Sequence, residues 1–394
     1  MITPFSFIAP RETHFGAGCL DQLPEIAARF GRRAALARGG ATCERSGLRA
    51  RVLEMLSAAG ITVTELPPQT REPEPEDVDA AVALARDVDL VIAVGGGSVI
   101  DLGKAVAALA PQRESGSVRD YLEGVGKGYR LEADPLPTIA VPTTAGTGTE
   151  ATKNSVISSQ AEGFKKSLRD NRMVPAVALI DPELTRCLPP ALTAQTGMDA
   201  LTQLIEAYTT RNANPMTDAL ALRGIEAARS LRDAVADGAH PDARAGMSLA
   251  AYLSGLCLAN AGLGAAHGIA AALGGVAPVP HGLACALALP WTMAINLPVA
   301  GERYARAAEA LTGQHEDDGR VAIQYIWDLS REIGIPRVAE LPELRPVFAD
   351  DRLPELAALC HGNSLRGNPR ALTDDELVTV LRAMRDAASP LELL

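Results

Sequence analysis

An α/β domain built on a mainly parallel sheet, followed by an all-helical domain, is the architecture this sequence predicts, on three observations. The first half alternates short apolar runs with helix-length stretches, the rhythm of strand–helix–strand units. The run Val91 to Val94 ends in Gly95-Gly96-Gly97-Ser98, as a buried strand does when it stops at a tight turn into a helix. Past Pro182 the strand signals fade and long Ala- and Leu-rich stretches take over. The chain is therefore divided into domains at 1–182 and 183–394, with no low-complexity linker and no solenoid repeat.

The elements follow in order. Ala34 to Ala37 reads as a strand, Glu44 to Ala59 as a helix, Ile61 to Leu66 as a strand and Pro75 to Asp87 as a helix. Asp89 to Val94 delivers the glycine turn, Ser98 to Ala110 follows as a helix, and Thr138 to Val141 and Ala176 to Ile180 are two further strands. Leu192 to Thr210, Pro215 to Ala236, Ala243 to Leu273, Val321 to Ile333 and Asp374 to Ala388 carry helical spacing or composition, with Gly and Pro at the breaks.

Composition excludes several classes of function. With 394 residues, 47% hydrophobic and 22% charged, the chain has enough apolar material for a two-domain core. Its net charge of -11 repels polyanions, and no basic cluster interleaved with aromatics offsets it, which argues against nucleic acid and membrane surfaces as partners. Met247 to Leu273 approaches membrane-spanning length, yet Ser248, Ser254, Asn260 and His267 interrupt it, so a buried helix pair is expected. The N-terminus shows no basic region followed by an apolar core, which makes the cytoplasm the expected location. The six cysteines, Cys19, Cys43, Cys187, Cys257, Cys285 and Cys360, lack C-x-x-C spacing and are expected to be small core residues rather than disulfides or thiolate ligands.

The glycine turn points to phosphate. Free N–H groups at the start of the following helix attract an anion, and glycine there avoids a Cβ that would hold a diphosphate away and permits the positive φ expected of the turn. A bare Gly-Gly-Gly-Ser is also compatible with a plain strand-to-helix connection.

The second candidate site is a metal site. Asp199 and Gln203 are four residues apart in a helical stretch and share a face. His267 and His281 sit in segments too apolar for surface loops. One carboxylate and two imidazoles suit zinc or ferrous iron with a position left for a substrate oxygen. A divalent ion so ligated keeps positive charge and acts as a Lewis acid. The bland alternative makes each histidine a satisfied core residue, a reading that weakens when the three are taken together.

Ordered motifs along nearly the whole chain then resemble the iron-containing, or group III, alcohol dehydrogenases. They are Gly95-Gly96-Gly97-Ser98 with Asp101, Pro142-Thr143-Thr144-Ala145-Gly146-Thr147-Gly148-Thr149-Glu150, Asp181-Pro182, Gly197-Met198-Asp199-Ala200, His281-Gly282 and Asn368-Pro369-Arg370. The resemblance implies a dinucleotide-binding N-terminal domain and a helical metal and substrate domain, an architecture shared with enzymes of the dehydroquinate synthase type. It implies NAD or NADP on Gly95, Gly96, Gly97, Ser98 and Asp101, with Thr143, Thr144 and Thr147 toward the nicotinamide and its ribose and Lys165 toward a cofactor ribose. It further implies hydride transfer between the cofactor and a small alcohol, aldehyde or ketone, a divalent iron or zinc at Asp199, His267 and His281, and a homodimer or larger assembly.

Three departures from the family pattern qualify this. The usual metal quartet is Asp, His, His, His, and Gln203 stands where the first histidine is expected; an amide oxygen is a weaker ligand, so Gln203 either ligates weakly or orients water. The alternatives are a metal-independent enzyme resembling maleylacetate reductases and a lyase of the dehydroquinate synthase type. Ala271 replaces a histidine that many members carry near the nicotinamide, leaving water, the cofactor ribose or His361 to move the proton. No carboxylate follows Arg38 at Gly39-Gly40, which leans toward tolerance of NADP, with Arg38 available to a 2'-phosphate. Arg366 and Arg370 lie where the family closes its pocket, and Arg370 reads better as the organiser of a helix start.

Overall fold

The computed structural model describes residues 4–112, 116–159 and 161–394. Two compact units divide the chain. The sheet unit comprises Ile8–Thr144 and Gly148–Cys187; the helical unit comprises Leu188–Leu394, the stretch Ala145–Thr147 and residues 4–7. The sequence-based division at 182 and 183 assigned neither short stretch to the helical unit.

In the sheet unit the strands are β1 (Glu12–Phe15), β2 (Arg33–Arg38), β3 (Thr62–Glu65), β4 (Leu90–Gly95), β5 (Thr138–Pro142), β6 (Asn154–Ser159), β7 (Phe164–Arg169) and β8 (Val177–Ile180). Six of them form one sheet in the order β1-β8-β5-β4-β2-β3, every pair parallel; β6 and β7 form a separate antiparallel hairpin. The helices are α1 (Leu23–Ala28), α2 (Ala41–Arg45), α3 (Leu48–Ala58), α4 (Pro75–Leu84) and α5 (Gly97–Leu109). Successive strand residues point to opposite faces, and both faces are covered. Ala34, Leu36, Ile92, Val94, Ile139 and Val141 pack in one core with Leu23 and Ile26 of α1 and Val52 and Leu56 of α3. Ala35, Ala37, Val91, Ala93 and Ala140 pack in the other with Val78 and Val82 of α4 and Ile100 and Val106 of α5. Hence every residue of β4 is buried, and its sequence shows an unbroken apolar run instead of alternation.

Strand order reverses direction between β2 and β4, and in open parallel sheets ligands bind at the carboxyl ends of strands at such a switch point. The Gly95 to Ser98 turn lies at that place. Three strands carry no signal in the sequence reading. β1 is four residues long and half exposed, and the hairpin β6–β7 is polar on its outer face.

The helical unit contains α6 (Pro190–Thr209), α7 (Pro215–Ala227), α8 (Leu231–Ala236), α9 (Pro241–Ala261), α10 (Ala265–Val276), α11 (His281–Thr312), α12 (Arg320–Glu332), α13 (Leu353–Leu359), α14 (Asn363–Gly367) and α15 (Asp374–Asp386). The helix expected from Pro215 to Ala236 is interrupted by a 3₁₀ turn, Ala228–Ser230. The apolar stretch ending at Leu273 is two helices bent by 98°. Gly262 makes that bend with φ 77°, a conformation glycine adopts without steric cost. The 32-residue α11 is the longest helix, and it escaped the sequence reading because Pro290 and Pro298 lie inside it. An interior proline costs about 3 kcal/mol in an isolated helix, and the burial of Leu287, Leu289, Trp291 and Met293 offsets that here. By length and composition α11 could cross a membrane, but 78% of its apolar window is buried inside the chain, as in a core helix.

Candidate metal centre and cofactor turn

Three helices of the helical unit bring the candidate ligands together. On α6, Asp199, Gln203 and Glu206 are spaced i, i+4, i+7 and face one side. On α11, His281 and Cys285 are spaced i, i+4 at its first turn. His267 stands on the first turn of α10. The ligand atoms of Asp199, His267, His281 and Cys285 all lie within 4.8 Å of one another. Asp199 Oδ1 is 3.4 Å from His267 Nε2 and 3.9 Å from His281 Nε2. Asp199, His267 and Cys285 are buried; the His281 side chain keeps 31% of its exposure and marks the open side of the group.

The position of His267 is imposed by the helix start that carries it. The cap residue Gly264 has no side chain to satisfy the free N–H groups of α10, so two distant residues do it. Asn368 Oδ1 accepts from Ala265 N at 3.2 Å, and Glu206 Oε1 accepts from Ala266 N at 2.6 Å. A Cβ on Gly264 would stand 2.9 Å from Glu206 Oε1, so glycine is what admits the carboxylate. The second oxygen of Glu206 takes His267 Nδ1 at 2.6 Å, which directs Nε2 at Asp199 and Cys285. Asn368 is fixed in turn by a reciprocal amide pair with Asn296, at 2.8 and 2.9 Å.

Electrostatics agree with a cation site. Burial alone would raise the Asp199 carboxyl, but its hydrogen bond with His267 and the charges of both imidazoles hold it below the usual range. Burial pushes the Cys285 thiol up to about 11, with His267 acting against the rise. A buried carboxylate facing two imidazoles and a sulfur is a donor set that suits a transition metal. Sequence reasoning missed Cys285 by searching only for paired-cysteine spacing; its separation of four from His281 was the available signal. Glu206, three residues beyond Gln203 on the same face, was missed as well.

Gln203 holds a different place from the one expected of a ligand oxygen. Its Nε2 lies 3.3 Å from Asp199 Oδ1 and 3.4 Å from Thr147 O, and its Oε1 lies 3.0 Å from Ser254 Oγ. Two acceptors around the nitrogen fix the amide in this sense, with the oxygen turned away from Asp199.

In the sheet unit, Gly96, Gly97, Ser98, Thr143 and Thr144 are partly exposed at the ends of β4 and β5. Thr143 N donates to Gly95 O at 3.0 Å. None of the turn glycines has positive φ, contrary to expectation. Close packing explains them: a Cβ on Gly95 would stand 2.5 Å from Val99 Cγ2, and one on Gly96 3.2 Å from Thr144 Cγ2. Asp101 is buried, its Oδ1 accepting from Thr149 Oγ1 at 2.6 Å and lying 3.4 Å from Lys104 Nζ. Lys104, also buried, donates to Thr149 Oγ1 and Thr152 Oγ1 at 2.7 and 2.8 Å, so the pair anchors the Thr149 turn. Lys165, on β7, pairs with Glu72.

Four further candidates have partners of their own. Arg38 is committed to Glu65 and Glu44, each at 3.0 Å, so carboxylates do stand beside the end of β2. His361 is exposed and pairs with Asp374 at 2.6 Å. Arg370 joins Glu376 at 2.7 Å, and Glu376 completes the cap of α15 with Thr373, the helix-start role expected of it. Arg366 is exposed beside Asn363.

The parallel sheet with its glycine turn and the helical unit with its carboxylate–histidine cluster define a nicotinamide-dependent alcohol dehydrogenase or aldehyde reductase. Residues 10–182 match the family model described as iron-containing alcohol dehydrogenase, and residues 193–385 the C-terminal model of the Fe-containing alcohol dehydrogenase family. The chain belongs to the iron-containing alcohol dehydrogenase family. It is 39% identical over 338 residues to a long-chain-alcohol dehydrogenase of Geobacillus thermodenitrificans, covering 84% of each chain. A crystal structure of a 1,3-propanediol oxidoreductase superposes with a TM-score of 0.88 at 33% identity, covering 97% of this chain and 100% of that one. A sulfoacetaldehyde reductase from Bifidobacterium kashiwanohense, in complex with NAD+, gives 0.87 at 28% identity, covering 98% and 100%.

Proposed function

We propose that this chain reversibly reduces a small aldehyde or ketone to its alcohol, with Asp199, His267 and His281 holding a divalent metal and the Gly95 to Ser98 turn holding the diphosphate of NAD or NADP. The observation that carries the reading is the convergence of a buried carboxylate and two imidazoles from three helices, with one imidazole oriented by Glu206. When bound, the ion supplies Lewis acidity to the substrate oxygen and the nicotinamide supplies or receives the hydride.

The protein's own residues do the rest. Glu206 keeps His267 in the tautomer that presents Nε2, and Gln203 steadies Asp199 by donating to it. Partly exposed His281 leaves one side of the group open to substrate. Gly96, Gly97 and Ser98 offer backbone donors to a diphosphate, with Asp101 and Lys104 holding the neighbouring Thr149 turn in place. Thr143, Thr144 and Thr147 provide hydroxyls toward the nicotinamide end, and Lys165 a cation toward a ribose. With Arg38 already paired to Glu65 and Glu44, the case for NADP rests on the missing carboxylate at Gly39-Gly40 alone. A homodimer or larger assembly in the cytoplasm completes the reading.

The test is a panel of aldehydes and alcohols assayed with NADH and NADPH on protein stripped of metal and reloaded with zinc or ferrous iron. Activity that falls on stripping and returns on reloading is the expected result. Undiminished turnover after chelation overturns the metal reading and favours a metal-independent reductase.

A further inference from the structure

The cluster holds a donor, Cys285, that the family's Asp, His, His, His quartet does not include. Resting on the metal reading above, we infer that Cys285 binds the ion as a thiolate, as its fourth protein ligand, in place of the imidazole absent at Gln203, and that it tunes the site toward zinc over ferrous iron.

Geometry carries the inference. Cys285 Sγ lies 3.6 Å from His267 Nε2 and 3.7 Å from His281 Nε2. Metal–sulfur and metal–nitrogen bonds of about 2.3 and 2.05 Å at a tetrahedral angle of about 109° put sulfur and nitrogen about 3.6 Å apart. The corresponding nitrogen–oxygen edge is about 3.3 Å; the Asp199 edges are 3.4 and 3.9 Å. The sulfur's distances to both imidazole nitrogens are therefore those of a fourth vertex, and its ligand atom lies within 4.8 Å of the Asp199 oxygen. Gln203 does not compete for that vertex, because its amide nitrogen, a group without a lone pair for a metal, faces Asp199 while its oxygen faces Ser254.

The chemistry is consistent. A soft thiolate favours zinc more than it favours ferrous iron. As the sulfur–metal bond forms, the S–H bond breaks and its proton leaves to solvent. One carboxylate and one thiolate neutralise a divalent ion, the same charge balance as in the two-thiolate, one-imidazole catalytic zinc site that also oxidises alcohols. The His281 side is the part of the group that is not enclosed, and a substrate would approach from there.

The test is spectroscopic and needs no turnover. Cobalt(II)-loaded protein is expected to show a thiolate-to-cobalt charge-transfer band in the near ultraviolet, and X-ray absorption of the zinc-loaded protein a sulfur shell at about 2.3 Å. In Cys285→Ser the band disappears and zinc affinity drops by at least the roughly 10- to 100-fold that loss of an outer partner alone produces. The zinc-over-iron preference narrows in the same variant, and Cys257→Ser, altering another buried thiol, leaves the band intact. Cobalt bound without that band, or zinc with only nitrogen and oxygen neighbours, overturns the inference while Asp199, His267 and His281 stand as ligands. Failure of the native protein to bind cobalt at all sinks both. Because the native spectra decide the matter, a poorly folded variant does not blunt the test.

Discussion

Replacing Glu206 by Gln isolates what the carboxylate contributes to the metal site. Glu206 uses both oxygens: one takes His267 Nδ1 at 2.6 Å, the other takes Ala266 N at 2.6 Å. An amide of the same shape has only one oxygen. Whichever way it turns, an NH2 group faces a donor, either the ring nitrogen or the backbone N–H. The amide thus either lets the His267 ring choose the wrong tautomer or leaves a buried N–H unpaired, at about 1 to 3 kcal/mol. Loss of such an outer partner lowers metal affinity by roughly 10- to 100-fold, which is about 1.4 to 2.8 kcal/mol. Chelator competition with zinc measures the affinity, and thermal melting of the metal-free protein measures the cap. A lower melting temperature together with unchanged zinc affinity would refute the reasoning, because Glu206 would then serve only the start of α10.

Other consequences are equally concrete. Gly282→Ala places a Cβ 2.4 Å from Gln195 O, a backbone atom that cannot swing aside, so the first turn of α11 must shift with His281; zinc affinity is expected to fall more than about tenfold, since metal ligands tolerate little displacement. Gly95→Ala crowds Val99 Cγ2 at 2.5 Å; the overpacking costs about 1 to 3 kcal/mol in thermal unfolding and weakens NADH binding in a fluorescence titration. Burial raises the Glu150 carboxyl from 4.5 to about 7. The folded state therefore holds this proton more tightly than the unfolded one. Its contribution to stability is fully present below pH 4.5 and is lost as pH rises to about 7, with a slope of at most about 1.4 kcal/mol per pH unit. Glu150→Gln should flatten that part of the profile of melting temperature against pH; an unchanged slope would count against the assignment.

The sequence exposed what periodicity can carry. The buried strands β4 and β8 are unbroken apolar runs and β2 and β5 have apolar centres, residues 34–37 and 139–141, legible because both sheet faces are covered. Strand β1 and the β6–β7 hairpin are short or outward-facing and give no such run. Prolines hid α11, since their cost is local and the compensating burial is tertiary. Asp199, His267 and His281 were legible as polar groups in apolar helices. Cys285 and Glu206 were not, because their value comes from helices that meet in space: a cysteine on an apolar helix looks like core, and a glutamate seven residues after Asp199 looks like an exposed face. Of the reasons for glycine in that turn, positive φ is absent, and crowding by Val99 and Thr144 requires glycine at Gly95 and Gly96.

The excursion of Ala145–Thr147 into the helical unit limits how this enzyme can be taken apart. A recombinant fragment starting at Leu188 would lack the Thr147 carbonyl that steadies Gln203 and the Gly146 carbonyl 3.5 Å from Ser254 Oγ. Chimeras that splice domains from two relatives at a single junction inherit the same defect: they transplant the ligand helices but leave behind the tripeptide beneath them.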